Sequence, residues 1–475
     1  MRRLLLPLVV ALAALGSWAP AALGHAVLDL AVPKQDTAVA SPPATVVLRF
    51  TEPVQLLRAQ DLTVVDDTGA SVASGPGTRS RQDAASIEIP VRPDLEDGTY
   101  TVRYQVLSAD AHLISGAYAF AVGSGPVGEP FLGGAGPGGG PSETGPWAVS
   151  ARFLELVGIG GLLGLLAFRW LVWRPAWSRP PALADEERTA ALGWGRDLYW
   201  VAFGTLALGA MVAEVYLLLV KSASALGTSV AGVLRDPGGI TSVLAGNKFG
   251  SLLQLRGILL FALFALGAWQ FLAEYGREGD ERAPAPTGAA WPAAAMGALL
   301  VVVLGSISYQ GHASQAPAAA LSIAADAIHL VAVSVWIGGL AFTALALWRL
   351  PRAVPGGPGR AVAAAALARF SRLALLAVAV AVATGVARSV GQLSDPAQLW
   401  ETGYGRSIVY KLLLLAPIAF VALHNRRVVT ALRRVRRPNR PTISLVRRSA
   451  ALELGLSLAV VVVASLLVAQ VPGRV

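Results

Sequence analysis

The sequence predicts two structural units: an all-β sandwich or barrel at the N-terminus and, after it, an all-α membrane bundle with eight transmembrane helices. Of the 475 residues, 54% are apolar and only 14% are charged, and the mean hydropathy of +0.57 is typical of a chain with several membrane spans. Residues 25–123 alternate apolar and polar positions in short runs, which is the period of a β-strand. Eight long apolar stretches follow them.

The composition limits the chemistry of any site. The net charge is +10, but the arginines fall mainly in short loops between apolar stretches, so they indicate membrane topology and not a nucleic-acid-binding face. The chain has no cysteine, which excludes disulfides and thiolate metal sites. The three methionines are Met1, Met211 and Met296. A bound metal must therefore be held by nitrogen and oxygen ligands.

Residues 1–24 have the pattern of a secretory signal peptide. Two arginines precede an apolar run that is too short to span a bilayer, and small residues lead to a cleavage site after Gly24. Cleavage there makes His25 the first residue of the mature chain. The alternative is that His25 is only a residue near an imprecise cleavage site.

The β-unit is predicted over residues 25–123. Its clearest runs of alternating polarity are residues 46–50, 61–65, 86–91, 99–107 and 117–122. Turn sequences such as Pro-Pro, Asp-Thr-Gly and Gly-Pro-Gly separate them, which predicts a small antiparallel sandwich or barrel. In residues 124–146, 14 of 23 are Gly or Pro, so this segment is predicted to be a flexible linker.

The membrane unit is predicted over residues 147–475. Its apolar stretches are residues 148–173, 198–220, 249–272, 291–309, 320–348, 370–391, 407–424 and 450–471. If the β-unit is exported, about 20 Lys and Arg lie in the inner loops and about 5 in the outer loops and tail, as the positive-inside rule requires. This predicts a multi-pass protein of the cytoplasmic membrane, embedded in the lipid bilayer, with an extracytoplasmic β-unit.

Two of the five histidines bracket the β-unit. Asp110 and His112 are two residues apart and share a face if the strand before them continues. If His25 is the mature N-terminus, its amine and ring nitrogen, with Asp110 and His112, provide three nitrogens and one oxygen. Cu(II) prefers a tetragonal set of this kind. Taken alone, an Asp-x-His pair favours an ordinary hydrogen bond in a loop.

A second set lies in the membrane unit. His312 falls in the outer loop before the fifth apolar stretch, and Asp326 and His329 lie on one helix face within it. Ionisable residues inside a bilayer are costly unless they face a partner or a polar cavity. These three residues therefore form a predicted transmembrane pathway, with His312 as its upper station and His329 as its lower one.

Three ordered segments of the β-unit resemble the CopC copper-binding proteins. They are HAVL at residues 25–28, VLRFTEPV at 47–54 and SADAHLISG at 108–116. The resemblance covers nearly all of the β-unit and implies an Ig-like or cupredoxin-like barrel.

The same resemblance implies a Cu(II) site formed by His25, Asp110 and His112. It also suggests Glu52 as a nearby ligand or as an acceptor of a hydrogen bond from a ligand. The β-unit has no methionine, so the methionine-rich Cu(I) site of some family members is not implied.

The membrane unit resembles the CopD proteins. The matching pieces, in the family's order, lie at residues 309–313, 326–329, 336–339, 369–371, 384–385 and 404–406, with Lys411. Together the two units look like a CopC–CopD fusion of copper uptake, resistance and homeostasis.

The leading hypothesis is a copper-handling membrane protein that binds Cu(II) outside the membrane and passes copper to its helices for import. The copper ion is then its main partner, and a copper chaperone is a further candidate. One alternative is a haem or electron-transfer protein that reduces copper, with His312 and His329 as axial ligands. Another is a copper sensor or chaperone that delivers to a membrane partner. Neither a phosphate-binding loop nor a hydrolase triad is apparent, so no enzymatic activity is expected.

Overall fold

We describe the fold from a computed structural model. It describes residues 28–56, 62–108, 113–125, 127–131, 145–176, 185–226, 228–245, 248–276, 290–311, 318–353, 357–393, 395–432 and 440–468. The predicted signal peptide, residues 1–24, lies outside these ranges.

The N-terminal unit is a two-sheet β-sandwich. Its described strands are β1 (Leu28–Val32), β2 (Ala38–Val39), β3 (Thr45–Phe50), β4 (Val54–Gln55), β5 (Leu62–Val65), β6 (Thr78–Arg79), β7 (Ser86–Pro90), β8 (Gly98–Ser108) and β9 (Leu113–Val122). One sheet has the order β1-β3-β7-β6, and the other has the order β2-β9-β8-β4, with β5 also paired to β8. The pairs are antiparallel as predicted except β2 with β9, which is parallel. The difference arises because β2 follows β1 after a short connection that changes sheets.

The core of the sandwich explains why the alternation predicts strands. Along β3, Val46, Leu48 and Phe50 are at most 2% exposed, and along β7, Ile87 and Ile89 are fully buried. Each such side chain contributes about 1.5–3 kcal/mol through its burial. The residues between them face outward, so a shift of one residue in register would expose the whole apolar set.

The second unit is helical. Its described helices are α1 (Pro146–Ala167), α2 (Asp185–Ala225), α3 (Val230–Arg235), α4 (Gly238–Leu244), α5 (Lys248–Tyr275), α6 (Ala290–Gln310), α7 (Ala319–Ala353), α8 (Gly357–Gln392), α9 (Gln398–Glu401), α10 (Gly403–Leu432) and α11 (Arg440–Leu467). After α1 the chain continues as a π-helical segment, Phe168–Trp173. Eight of the described helices are long and apolar enough to cross a membrane, which confirms the predicted spans.

Small residues allow α1 and α7 to pack closely. A side chain on Gly164 would meet the Cα atom of Gly338 at 2.5 Å, and one on Gly160 would meet Ser334 at 3.0 Å. Residue numbers increase together along the two helices, so the helices are parallel. The small residues at 160 and 164 therefore serve close helix packing.

The β-sandwich rests on the helices. Leu107, near the end of β8, is fully buried in a cluster with Ala151 of α1, Leu217 of α2 and Phe249 of α5. In addition, the Gln55 side-chain amide donates a hydrogen bond to the Ala245 carbonyl at 3.3 Å. The two units therefore share an interface at one end of the sandwich.

Part of the predicted linker is held against the sandwich. The backbone amide of Gly128 donates to the Thr99 hydroxyl at 2.9 Å, and that of Phe131 donates to the Thr101 hydroxyl at 2.7 Å. These threonines alternate on one face of β8, which gives the chain two anchoring points. Residues 127–131 thus lie along β8, and the predicted linker as a whole stays a prediction.

Candidate metal-binding sites

The strand register gathers the predicted copper-binding segments at one end of the sandwich. Leu28 pairs with Phe50, and Val54 pairs with Ser108. The start of β1, the end of β3, the start of β4 and the end of β8 therefore lie together. Glu52 lies between β3 and β4 at this end and is half-buried.

The three predicted ligands lie outside the described residues. His25 precedes Leu28 by three residues, and Asp110 and His112 follow Ser108 by two and four residues. Each is thus attached to a strand terminus at the end of the sandwich just described. The ligand set itself stays a prediction.

The end of the sandwich that carries these segments is also the end that faces the helices. Gln55 and Leu107, which contact the membrane unit, are directly paired across β4 and β8. Ser108, the last residue before the Asp110 segment, is fully buried. The predicted metal-binding segment therefore begins where the sandwich meets the helices.

His329 of the predicted pathway is buried between α7 and α8. Its Nδ1 lies 2.9 Å from the Ala381 carbonyl and 3.1 Å from the Thr384 hydroxyl. A carbonyl only accepts, so Nδ1 carries the proton and donates, and in a neutral ring Nε2 remains an acceptor. Histidines that bind a metal through one ring nitrogen commonly donate the other N–H to an acceptor in this way. Gly385 leaves room for the ring, since a side chain there would lie 3.3 Å from it.

Asp326 is occupied by an ion pair. Its carboxylate lies 2.7 Å from the Arg388 guanidinium on α8, and it is 7% exposed. Arg388 and Lys411 are both close enough to act electrostatically on His329. We refer to Asp326, His329, Thr384 and Arg388 as the His329 cluster. The third predicted pathway residue, His312, lies outside the described residues, so the pathway stays a prediction.

Sequence reasoning missed Arg256, which forms a second cluster on α5. Arg256 is fully buried and contacts three other helices. Its Nη1 donates to Gln310 Oε1 at 2.8 Å, its Nε lies 3.1 Å from Glu214 Oε1, and its Nη2 lies 3.6 Å from Glu155 Oε1. We refer to these four residues as the Arg256 cluster. An arginine inside the predicted stretch 249–272 was the available signal.

The buried carboxylates of the helices have separate partners. Glu155 and Glu214 share Arg256, and Glu453 accepts a hydrogen bond from Asn425 at 3.1 Å. Over the described ranges, no three His, Asp or Glu side chains are grouped closely enough to hold a metal ion.

The two clusters lie at the same depth. The contacts of Gly160 with Ser334 and of Gly164 with Gly338 set the register of α1 against α7, and this register places Glu155 level with His329. The α1–α7 contact lies between the two clusters. On α1 and on α7, Glu155 and His329 lie on the sides of their helices that face away from this contact.

Two segments of the chain match known protein families. Residues 28–123 match the CopC domain, and residues 364–467 match the family described as copper resistance protein D, CopD. The chain joins a CopC domain to a CopD domain. With its eight apolar helices it is a multi-pass membrane protein that handles copper.

Several known proteins are similar to this CopC–CopD chain. The copper transport protein CutJ of Bacillus subtilis is 22% identical over 417 residues, which covers 85% of this chain and 69% of CutJ. Protein YobA of Escherichia coli K12 is 29% identical over 103 residues, 22% of this chain and 82% of YobA.

Solved structures match the CopC domain. The crystal structure of CopC from Methylosinus trichosporium OB3b is 26% identical and covers 23% of this chain and 100% of that chain, with a TM-score of 0.19. PcoC, a methionine-rich copper resistance protein from Escherichia coli, is 28% identical over 21% of this chain and 99% of that chain, with a TM-score of 0.18.

The CopD match includes the α8 residues around His329 but not His329 itself. Thr384, Gly385 and Arg388 lie within residues 364–467, whereas Asp326 and His329 precede them. All four members of the Arg256 cluster lie outside both matched segments.

Proposed function

We propose that this protein captures Cu(II) at the membrane-facing end of its CopC domain and passes copper directly to its helices for import. The ion is bound by His25, Asp110 and His112, with Glu52 beside them. The protein binds and transports and catalyses no reaction. The name of CutJ as a copper transport protein supports this assignment.

One observation carries the proposal. The strand that leads into Asp110 and His112 ends in the interface with α1, α2 and α5, where Leu107 is fully buried. A copper ion released there emerges at the helices and not into bulk solvent. This placement favours direct transfer over a freely diffusing intermediate.

The proposed orientation follows from charge. The interhelical loops on the side away from the sandwich carry about 20 Lys and Arg against about 5 on the side of the sandwich, so the positive-inside rule places the CopC domain outside the cytoplasm. Copper that enters from the CopC domain therefore moves inward.

Copper accumulation in membrane vesicles tests the proposal. Four proteins are compared: wild type, His112→Ala, Leu107→Asp and Thr78→Asp. His112→Ala should lose both Cu(II) binding and accumulation. Leu107→Asp should keep Cu(II) binding but lose accumulation, because a carboxylate cannot be buried in an apolar interface without a partner.

Thr78→Asp is the matched control, because Thr78 lies on the exposed strand β6, at the edge of the sheet that does not contain β4 and β8. It should keep binding and accumulation. The proposal is wrong if wild type accumulates no copper, or if His112→Ala accumulates it at the wild-type rate.

A further inference from the structure

The Arg256 cluster gathers side-chain oxygens around a buried cation. Three oxygen-bearing side chains, Glu155 of α1, Glu214 of α2 and Gln310 of α6, converge on one buried guanidinium from three helices. Carboxylate and amide oxygens bind hard and borderline metal cations, and Cu(II) has the highest affinity among the divalent first-row ions. What the three oxygens hold in this structure is a tethered cation, the Arg256 side chain.

The cluster lies directly below the CopC interface. Glu155 follows Ala151 by four residues on α1, so the two share a face and Glu155 lies about 6 Å deeper. Glu214 lies three residues below Leu217 on α2 by the same reasoning. On α5, Arg256 follows Leu253 of the interface by three residues. On each of the three helices, the cluster residue therefore lies about one turn below a residue of the interface with the CopC domain.

The contacts within the cluster are unequal. Glu214 Oε1 and Arg256 Nη2 are buried and make no hydrogen bond within the described residues, although Oε1 lies 3.1 Å from Arg256 Nε and Nη2 lies 3.6 Å from Glu155 Oε1. Glu214 is 5% exposed and Arg256 is fully buried. An ion pair without a hydrogen bond compensates burial less well, so the long contact with Glu155 is the one that a competing cation can displace most readily.

Charge requires that such a cation compete with Arg256. A further buried cation, Arg152, lies nearer the CopC domain on α1. Together with Arg256 it matches the charge of the two carboxylates, so no negative charge is left to attract a divalent ion while Arg256 stays in place. It can bind only when the guanidinium moves away from both carboxylates.

We propose that Glu155, Glu214 and Gln310 form the first membrane site for the copper ion, and that Arg256 occupies this site until the ion replaces it. Gln310 is two residues before His312, so the site is close in sequence to the predicted upper station of the pathway. The inference rests on the proposed function for the identity of its cation, but its binding test does not depend on transport.

The binding test uses the full chain in detergent with the CopC site removed by His25→Ala and His112→Ala. Cu(II) is added and measured by equilibrium dialysis, and its ligands are examined by electron paramagnetic resonance. Adding Arg256→Gln should create Cu(II) binding with oxygen-rich coordination, because two carboxylates lose their tethered counter-ion. Adding Glu214→Gln as well should abolish that binding.

Arg388→Gln in the same background is the matched control, since it releases a single carboxylate, Asp326. It should create no comparable binding. The proposal is overturned if Arg256→Gln elutes as a folded protein and binds no Cu(II), or if Arg388→Gln gains the same binding.

A second measurement covers the case in which Arg256→Gln does not fold. Glu155→Gln and Glu214→Gln keep the shape of the side chains, and each should lower vesicle copper accumulation about tenfold or more. Glu453→Gln, a buried carboxylate outside the cluster, should stay near wild type. Equal rates in all three variants would overturn the proposal, whereas absence of accumulation in wild type would contradict the proposed function instead.

Discussion

The two buried ionic clusters of the membrane unit lie at one depth but differ in charge balance. In the Arg256 cluster, two carboxylates share one guanidinium. In the His329 cluster, a single carboxylate is matched by Arg388, and Lys411 adds a further positive charge nearby. A histidine alone therefore does not identify the place that accepts a cation. The balance of fixed charges and the position below the CopC domain distinguish the first cluster from the second.

The largest effect is expected when the α1–α7 contact, which lies between the two clusters, is broken. Gly164→Leu should separate α1 from α7, because the new side chain would meet the Gly338 backbone, which cannot rotate away. We expect both clusters to be lost and the free energy of unfolding to fall by about 3 kcal/mol or more. Thermal unfolding in detergent measures this. Gly204→Leu, at a position with open space around it, is the control and should unfold near the wild-type temperature.

Replacing each arginine by lysine compares the clusters directly. Arg256→Lys should cost about 2–3 kcal/mol, because an ammonium cannot reach three partners in the geometry of a guanidinium. Arg388→Lys should cost about 1 kcal/mol or less, because one ion pair to a partly exposed side chain is involved. Chemical denaturation of both variants gives the two values. Equal costs would show that the clusters do not differ as described.

The smallest effect is expected at Thr384. Thr384→Val removes one hydroxyl beside His329 Nδ1 but leaves the Ala381 carbonyl as its acceptor. The loss of stability should be about 1 kcal/mol or less. Copper accumulation should change little, and a loss as large as that of Glu214→Gln would place the main cation site at His329 instead.

Local patterns predicted much of this architecture. The alternation in residues 46–50 identified β3 because every second residue is buried, and the apolar stretches identified the eight spans. The spacing of Asp326 and His329 predicted that both lie on one face of a helix, and both contact α8. These features depend on residues close together in sequence.

The Arg256 cluster and the interface of Leu107 could not be predicted in this way. Arg256 is 42 residues from Glu214 and 54 from Gln310, so no local period connects them. The alternation along β8 indicates that Leu107 is a core residue of the sandwich. The residues that bury it lie instead on the helices. Contacts of this kind depend on how the units pack.

Direct transfer requires contact between the predicted metal-binding end of the CopC domain and the helices, and crosslinking tests that contact most directly. Because the chain has no native cysteine, Gln55→Cys with Ala245→Cys introduces the sole pair of thiols. In intact vesicles, a short bifunctional maleimide should join this pair and leave Gly98→Cys with Ala245→Cys, at the far end of β8, unjoined. Failure to crosslink the first pair, or equal crosslinking of both, would contradict direct transfer from the CopC domain to the helices.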